Sequence, residues 1–328
     1  MVNTSPMAFP ANENISDSTA AGDDTAVAQV TGVHHAYGDT QALGGVDLRI
    51  DASRITALLG PNGSGKTTLF RLLCTLLPLQ KGDIKIVGSD VASQALAVRQ
   101  NIGIVFQSPS LDAKLTVDEN LACQAALYGI AGRTFQKRRD EVLESLGIKD
   151  RRGEYCEKLS GGLKRRAEIA KSLLHRPRLM LLDEPSTGLD PAARRSLWKC
   201  LTDLAEQGTA VLLTTHLIEE ADKADQVVIF SAGKKVAEGP PHELRGQLGS
   251  RLISLVVADP DAAADRLRDE FGLTVLRTQD SLKISSDVTP DLVGRIADFL
   301  GDSLQSITLG RPSLEDVFVA RTGVHFDA

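Results

Sequence analysis

The chain has 328 residues, of which 42% are hydrophobic and 24% charged, an ordinary globular composition at a length that suits two domains. Its 37 lysines and arginines are outnumbered by 43 acidic residues, and the net charge of −6 argues against a nucleic-acid binder held by bulk electrostatics. Apolar runs such as residues 179–182 fall far short of the roughly 20 residues that cross a bilayer. With no lysine or arginine before Arg49 to begin a secretory signal, we expect a soluble cytoplasmic protein.

The cysteines indicate neither a metal site nor a disulfide framework. Cys74, Cys123, Cys156 and Cys200 are dispersed, without a C-x-x-C pair or a histidine at ligand spacing. We therefore expect buried, reduced thiols.

The chain begins with a segment that lacks periodic apolar residues. Residues 1–26 are rich in Asn, Ser, Thr, Asp and Ala, which predicts a disordered tail. Apolar residues then alternate as in strands, and short strands are predicted at 27–33, 44–50, 84–88 and 102–106.

Between these strands lies the sequence GPNGSGKTT, which matches the phosphate-binding pattern G-x-x-x-x-G-K-[ST]. An apolar strand at 55–59 precedes it, and a helix is predicted to begin near Lys66. The glycines allow backbone angles that direct successive N–H groups at phosphate oxygens, and the helix directs its positive end at the same anion. Lys66 is predicted to reach the β- and γ-phosphates, and the Thr67 hydroxyl to help coordinate Mg²⁺. The predicted nucleotide-binding residues are Gly60, Pro61, Asn62, Gly63, Ser64, Gly65, Lys66, Thr67 and Thr68.

The next part of the chain is predicted to be mostly helical, over residues 108–175. One helix opens behind Thr116, and another covers 138–146 and ends at Gly147. Strand-like runs separated by helices return at 179–182, 211–214 and 227–230. Strands that alternate with helices predict a parallel sheet covered on both faces.

Two carboxylates end the apolar strand LMLLDE. At the carboxyl end of a buried strand, Asp183 can hold Mg²⁺ or its water ligands, and Glu184 can orient and deprotonate an attacking water near the γ-phosphate. Taken alone, the pair could equally be an ordinary acidic turn.

Other polar residues could complete a phosphate site. Ser160, Gly161 and Gly162 form a turn into a helix that suits a second anion site, although Ser160 could simply cap that helix. His216 follows a strand and could hydrogen-bond a γ-phosphate, but a lone histidine there is more often structural.

Two further side chains stand at places where they could contact the nucleotide. Gln107 follows the strand over 102–106 and could reach the metal or the water. Tyr37 could stack on a base, although a lone exposed tyrosine would otherwise mean little.

The residues from about 250 onward predict a small ferredoxin-like α+β domain over 250–328, with the order β-α-β-β-α-β. Its strands are predicted at 252–257, 273–276, 282–285 and 304–309, with a turn at Gln279 and Asp280. Its helices are predicted to begin at Asp259-Pro260 and at Thr289-Pro290, the second ending at Gly301, and a closing helix follows Ser313. Glu315, Asp316 and Arg321 are interpreted as solvated or helix-capping charges.

Taken together, the motifs resemble the ATP-binding cassette (ABC) ATPases. Tyr37, GPNGSGKTT, Gln107, LSGGLKRR, LMLLDE, STGLD and TTH occur in that family's order over residues 27–245. The resemblance implies a phosphate-loop NTPase fold with a parallel-sheet core, an antiparallel β subdomain and a helical subdomain at about 108–175. Leu163 departs from the family, which often has Gln there, and we do not interpret it as damage to the site.

The family resemblance also implies how two copies work together. Two cassettes close head to tail on two ATP molecules, each lying between Lys66 of one copy and Ser160 of the other. Asp190 would act across that interface, and His216 would sense the γ-phosphate. A homodimer is the simplest assembly, although a related cassette could be the second member.

Three segments look like the subfamily that serves bacterial type 2 exporters, such as daunorubicin-resistance and nodulation-factor export ATPases. These segments are 111–129, 175–191 and 312–323. The subfamily implies a separate integral membrane permease, docked near Gln107 and residues 108–130, and a peripheral location on the inner face of the cell membrane. The alternatives are an importer ATPase, against which the terminal segment argues, and a soluble ABC ATPase acting in translation or repair.

Overall fold

The computed structural model describes residues 26–277, 281–285, 290–324 and 326. The predicted tail up to residue 25, the turn at Gln279 and Asp280 and the cap at Thr289 lie outside these residues. The first strand begins at Ala26, which the sequence had assigned to the tail.

The described strands and helices follow the predicted alternation. The strands are β1 (Ala26–Tyr37), β2 (Thr40–Asp51), β3 (Ile55–Leu59), β4 (Lys81–Ile86), β5 (Ser89–Asp90), β6 (Ile102–Val105), β7 (Leu179–Asp183), β8 (Ala210–Thr215), β9 (Gln226–Ser231), β10 (Lys234–Gly239), β11 (Leu252–Val257), β12 (Val275–Arg277), β13 (Leu282–Ser285) and β14 (Leu304–Gly310). The helices are α1 (Lys66–Leu73), α2 (Ala95–Asn101), α3 (Val117–Leu127), α4 (Gly132–Ser145), α5 (Gly161–Leu173), α6 (Pro191–Glu206), α7 (Ile218–Ala221), α8 (Pro241–Gly246), α9 (Pro260–Phe271), α10 (Pro290–Leu300) and α11 (Leu314–Thr322). Short 3₁₀ turns cover Lys149–Arg151, Cys156–Lys158 and Gly301–Ser303.

The central sheet positions the site. Its strand order is β10-β9-β3-β8-β7-β6, parallel throughout except for the antiparallel β10. Strands β3 and β8 are buried along their whole length, as expected of a parallel sheet covered on both faces. Because parallel strands point the same way, β3, β6, β7 and β8 all deliver the segments that follow them to one edge of the sheet.

A second sheet, in the order β2-β1-β4-β5, is antiparallel and shares an apolar core with helix α1 and one face of the central sheet. It carries Tyr37 at the end of β1. The strands β1 and β2 are longer than predicted, since each continues to the turn at Gly38 and Asp39.

The helical segment between Gln107 and β7 is built as predicted. Thr116 and Glu119 form a reciprocal cap, in which the Thr116 hydroxyl accepts from the Glu119 N–H and the Glu119 carboxylate accepts from the Thr116 N–H. Helix α4 begins six residues earlier than predicted, at Gly132, and ends before Gly147.

Of the four cysteines, Cys74, Cys156 and Cys200 are buried, but Cys123 on α3 is exposed, contrary to expectation.

Residues 252–310 form a separate antiparallel sheet in the order β12-β13-β11-β14. Side chains from α9 and α10 share an apolar core with one face of this sheet. The elements follow one another as strand, helix, strand, strand, helix, strand. Assignment of 250–328 as a ferredoxin-like accessory domain stays a prediction.

Helix α11 packs on the cassette rather than on the core of that last sheet. Leu314, Val317 and Phe318 belong to the same apolar core as the central sheet, and α11 contacts α8 and β10. Asp316 completes a cap with Ser313, yet it is only 4% exposed and pairs with the ammonium of Lys283 on β13. Of the two predicted alternatives, Asp316 is therefore the helix-capping charge, and it is buried rather than solvated.

Within the described part of the chain, no helix combines the length and apolar character that spanning a membrane requires.

Candidate active site

The phosphate loop joins β3 to α1 in a close-packed bend. Gly63 and Gly65 have φ angles of +77° and +104°, the left-handed region that favours glycine. A Cβ on Gly65 would lie 2.7 Å from the Ala42 carbonyl oxygen, and one on Gly60 would lie 2.5 Å from that of Phe230. Glycine is thus required by backbone angle at Gly63, by space at Gly60 and by both at Gly65.

Lys66 lies inside this loop and is only 4% exposed. Its Nζ donates to the carbonyl oxygens of Gly60 and Pro61, at 2.5 and 2.9 Å. Burial lowers the pKa of Lys66, whereas the carboxylates of Glu184 and Asp183 act to raise it. The result is a buried amine beside two acids, in a place suited to an anionic ligand.

A cavity of about 260 Å³ opens over the loop. It is lined by Tyr37, Ala42, Asn62, Gly63, Ser64, Gly65, Lys66, Thr67, Thr68 and Glu184. Tyr37 is 46% exposed and packs edge-on against His35, with ring centroids 4.8 Å apart. The structure therefore brings the predicted loop residues 62–68, the aromatic residue and one acid to a single cavity, whose lining does not include Gly60 and Pro61.

Asp183 and Glu184 differ in their surroundings. The Thr214 hydroxyl donates to Asp183 Oδ1 at 2.5 Å. Burial raises the pKa of Asp183, and that hydrogen bond acts in the opposite direction. Glu184 has a φ of +42°, which is uncommon for a residue with a side chain.

Two other predicted catalytic residues, Gln107 and His216, lie next to the carboxylate of Glu184. Gln107 Nε2 donates to its Oε2 at 3.0 Å, and the Thr187 hydroxyl donates to the same oxygen at 3.3 Å. His216 Nδ1 lies 3.1 Å from Oε1, in an orientation that is not that of a hydrogen bond. The contacts of Thr187 and Thr214 with these acids were not predicted from the sequence, because nothing local distinguishes the two residues from other strand-end or loop threonines.

Ser160 and Asp190 lie outside this cavity and act as helix caps in the single chain. The Ser160 hydroxyl accepts from the Leu163 N–H at 3.4 Å, and Asp190 Oδ1 accepts from the N–H groups of Ala192 and Ala193, both at 2.9 Å. Both capping residues are exposed. The structure thus does not bring them to Lys66 of the same chain.

The two glycines after Ser160 have different surroundings. Gly161 is exposed, whereas a Cβ on Gly162 would lie 2.8 Å from that of Ala193. Gly162 therefore allows helices α5 and α6 to approach closely, which brings the two exposed caps onto neighbouring helices.

A buried ion pair ties helix α5 to the segment that carries Gln107. Arg165 Nη1 donates to Glu168 Oε2 at 2.9 Å and to the Phe106 carbonyl at 2.7 Å. Glu168 Oε1 accepts from the Ser110 N–H at 2.6 Å. Movement of α5 would therefore be transmitted to residues 106–110.

A larger groove of about 880 Å³ lies between α2, the end of α3 and the segment before β7. We call it the basic groove; its lining includes Leu96, Arg99, Leu127, Tyr128, Arg138, His175, Arg176 and Arg178. Leu96 and Leu127 are 76% and 82% exposed. Tyr128 stacks on His175 with ring centroids 3.9 Å apart.

Among the described residues, no three His, Cys, Asp or Glu side chains are grouped so as to hold a metal ion. Asp183, Thr67 and Gln107 offer carboxylate, hydroxyl and amide oxygens, the donor type that Mg²⁺ takes when substrate phosphates supply further ligands. This donor set fits a metal that arrives with a phosphate substrate.

Comparisons with known proteins identify the family of this chain. The family model described as ABC transporter matches residues 43–187. The daunorubicin/doxorubicin resistance ATP-binding protein DrrA of Streptomyces peucetius is 36% identical over 307 residues, covering 91% of this chain and 93% of that protein. Nod factor export ATP-binding protein I of Rhizobium johnstonii is 34% identical over 300 residues, covering 90% and 94%.

Solved structures give the same result. An ATP-binding subunit of an ABC transporter is 28% identical with a TM-score of 0.62, covering 68% of this chain and 93% of that one. The cbiO1 protein of Clostridium perfringens, part of the ABC transporter complex cbiONQ, is 27% identical with a TM-score of 0.64, covering 76% and 97%. The chain belongs to the ABC transporter family and is one of its ATP-binding cassette ATPases.

Proposed function

We propose that this chain is the ATP-hydrolysing subunit of a bacterial exporter and works through a separate membrane subunit. The observation that carries the proposal is the convergence of Gln107, Glu184 and His216 beside the Lys66 cavity. The names of the relatives, which concern drug resistance and Nod factor export, support export over import.

The phosphate loop binds the triphosphate of ATP. Loop N–H groups and the Lys66 ammonium neutralise the phosphates, and Lys66 exchanges its two carbonyl partners for phosphate oxygens. Tyr37, exposed at the mouth of the cavity, stacks on the base.

Glu184 orients and deprotonates the attacking water. Gln107 and His216 touch its two carboxylate oxygens from either side, so that the position of the acid responds to both. His216 contacts the γ-phosphate, which makes the position of the acid dependent on the nucleotide.

Asp183, Thr67 and Gln107 would hold Mg²⁺ when it is bound with ATP, where its charge offsets that of the phosphates. A second copy would complete the site. Ser160 and Asp190 are exposed and face no nucleotide of their own chain, which supports a dimer in which they act on the partner's ATP. ATP binds the closed dimer more tightly than the open one, and that difference in affinity drives the membrane subunits.

The basic groove is the proposed docking site of the membrane subunit, which holds the chain at the inner face of the cell membrane. Its exposed Leu96 and Leu127 offer apolar contacts, and the arginines around them offer charge. Helix α5 begins after Ser160 and ends two residues before His175 in the groove lining, so a segment docked there can sense closure of the dimer.

The first experiment is Glu184→Gln. We expect phosphate release to fall by at least about 100-fold, because the base is lost, while ATP binding is retained. Glu243→Gln, at an exposed carboxylate on α8, is the matched control and should behave as the wild type. Turnover in Glu184→Gln at the wild-type rate would contradict the assignment of the base, and loss of ATP binding would contradict the nucleotide site as drawn.

Capture from native membranes with the Glu184→Gln protein and ATP tests the partner. We expect an integral membrane protein with several spanning helices at equal stoichiometry. Leu127→Asp in the basic groove should abolish its recovery, whereas Leu309→Asp, an exposed leucine on β14, should not. Recovery of ribosomal or DNA-associated proteins alone would overturn the transport proposal.

A further inference from the structure

We propose that Thr214 is a positioning residue for ATP hydrolysis, which holds the Asp183 carboxylate and the backbone of Glu184 in one hydrogen-bonded chain. The inference rests on the proposed function, since it assigns Glu184 as the base. It adds a residue that touches neither nucleotide nor water.

The sheet register brings Thr214 to both acids. Strand β8 pairs with β7 so that Thr214 lies opposite Asp183, and its side chain is completely buried. The hydroxyl donates to Asp183 Oδ1 at 2.5 Å and accepts from the Glu184 N–H at 3.0 Å. A hydroxyl carries one proton, so donation to Asp183 leaves only lone pairs for Glu184. The direction of both hydrogen bonds is therefore fixed.

The backbone of Glu184 needs this support. A left-handed φ of +42° is unfavourable for a residue with a side chain, because its Cβ crowds the backbone. The Glu184 N–H is shared between the hydroxyl and the carbonyl oxygen of Thr214, the latter at 3.2 Å. Thr214 thus holds the peptide that directs the carboxylate toward Gln107 and His216.

The adjacent threonine, Thr215, has different hydrogen-bond partners. Thr215 is also buried, but successive side chains of a strand point to opposite faces. Its hydroxyl donates to Glu220 Oε2 at 2.7 Å and accepts from the Leu217 N–H at 2.9 Å. Only the threonine at position 214 among these two can serve Asp183 and Glu184.

The test is Thr214→Val, which keeps the branched shape and removes the hydroxyl, compared with Thr214→Ser, which keeps the hydroxyl and removes a methyl group. We expect kcat of the valine variant to fall about tenfold to 100-fold, as the base loses its position, with KM for ATP and ATP affinity within about twofold of wild type. The serine variant should keep most of kcat.

Thr56→Val is the matched control. Thr56 is a buried threonine on β3 of the same sheet, and its hydroxyl is not among the hydrogen-bond partners of Asp183 or Glu184. Its kcat should equal that of the wild type. A wild-type kcat in folded Thr214→Val, or a serine variant as slow as the valine variant, would overturn the inference. If the valine variant does not fold, the serine variant becomes the test of the inference. A kcat of Thr214→Ser as low as that of Glu184→Gln would contradict a role for the hydroxyl.

Glu184→Gln measured in the same assay separates the two proposals. An inactive Glu184→Gln together with an unimpaired Thr214→Val refutes only the positioning role. An active Glu184→Gln refutes the function on which that role rests.

Discussion

The two regions that carry phosphate-binding motifs are built very differently. Around Lys66 the chain forms a close-packed loop beneath a cavity, in which the amine is buried and both nearby acids are held by hydrogen bonds. Around Ser160 and Asp190 the polar groups are exposed, and their hydrogen bonds only cap their own helices.

This difference supports the proposed division of the site between two copies. The Lys66 region is complete within one chain, so it can select a phosphate ligand before any partner is present. Ser160 and Asp190 do not line that cavity, and in the proposed dimer their contribution begins when the second copy covers them. A composite site of this kind makes hydrolysis depend on association, which is what a motor subunit requires.

The largest expected effect comes from mixing two inactive variants. Lys66→Ala removes the buried half of the site and Ser160→Arg obstructs the exposed half, so each homodimer should lose at least about 100-fold in turnover. Random mixing gives heterodimers in which one site carries both changes and the other none. We expect the mixture to recover about a quarter of the wild-type rate in a phosphate-release assay.

A doubly substituted Lys66→Ala, Ser160→Arg chain mixed with Lys66→Ala is the control, because no intact site can form in it. Recovery in the control, or none in the first mixture, would contradict the division of the site between two chains.

A smaller effect separates the two roles of Ser160. As a cap at a long 3.4 Å, its loss in Ser160→Ala should lower the free energy of unfolding by at most about 1 kcal/mol. Turnover should fall about tenfold or more, since in the proposed dimer the hydroxyl also faces the partner's nucleotide. Urea unfolding and phosphate release measure the two quantities. Equal turnover in variant and wild type would reduce Ser160 to a helix cap.

A third effect concerns the stability of the fold rather than either half of the site. Burial lowers the pKa of His175 from the ordinary 6.5 to about 4, so the ring is neutral in the folded chain while the unfolded chain takes up its proton below pH 6.5. Stability therefore falls with acidity, by about 2 kcal/mol between pH 7.5 and pH 5 from this residue alone.

Urea unfolding at the two pH values checks this, with His175→Gln as the comparison. The variant retains a group that can donate to the Ile102 carbonyl oxygen, to which His175 Nε2 lies at 2.9 Å, and should lack this component of the pH dependence. An unchanged pH dependence in the variant would assign the acid sensitivity elsewhere.

The sequence predicted those features that local rules decide. The bend at Gly63 and Gly65 is dictated by glycine spacing, and the position of Asp183 follows from an apolar strand that ends in acids. The cap at Thr116 can likewise be predicted from the four consecutive residues 116–119.

Features that depend on distant pairings were not predicted. The contact between Thr214 and Asp183 requires the register of β8 on β7, which no single segment specifies. Burial of Asp316 depends on Lys283 of another strand, and Cys123 is exposed because it lies on the outward face of α3. An amphipathic pattern shows that a helix has an apolar face but does not name the core against which it packs.

Because helix α11 belongs to the core of the central sheet, the order of synthesis affects when that core is completed. Leu314, Val317 and Phe318 complete the same core as the central sheet, although residues 252–310 are made before them and fold apart from it. The elements from β11 to β14 therefore interrupt that core in chain order, and the core lacks these three side chains until α11 has been made. A product cut short before Leu314 would expose apolar surface and be open to proteolysis. Deletions meant to probe the elements from β11 to β14 should therefore remove them and retain α11.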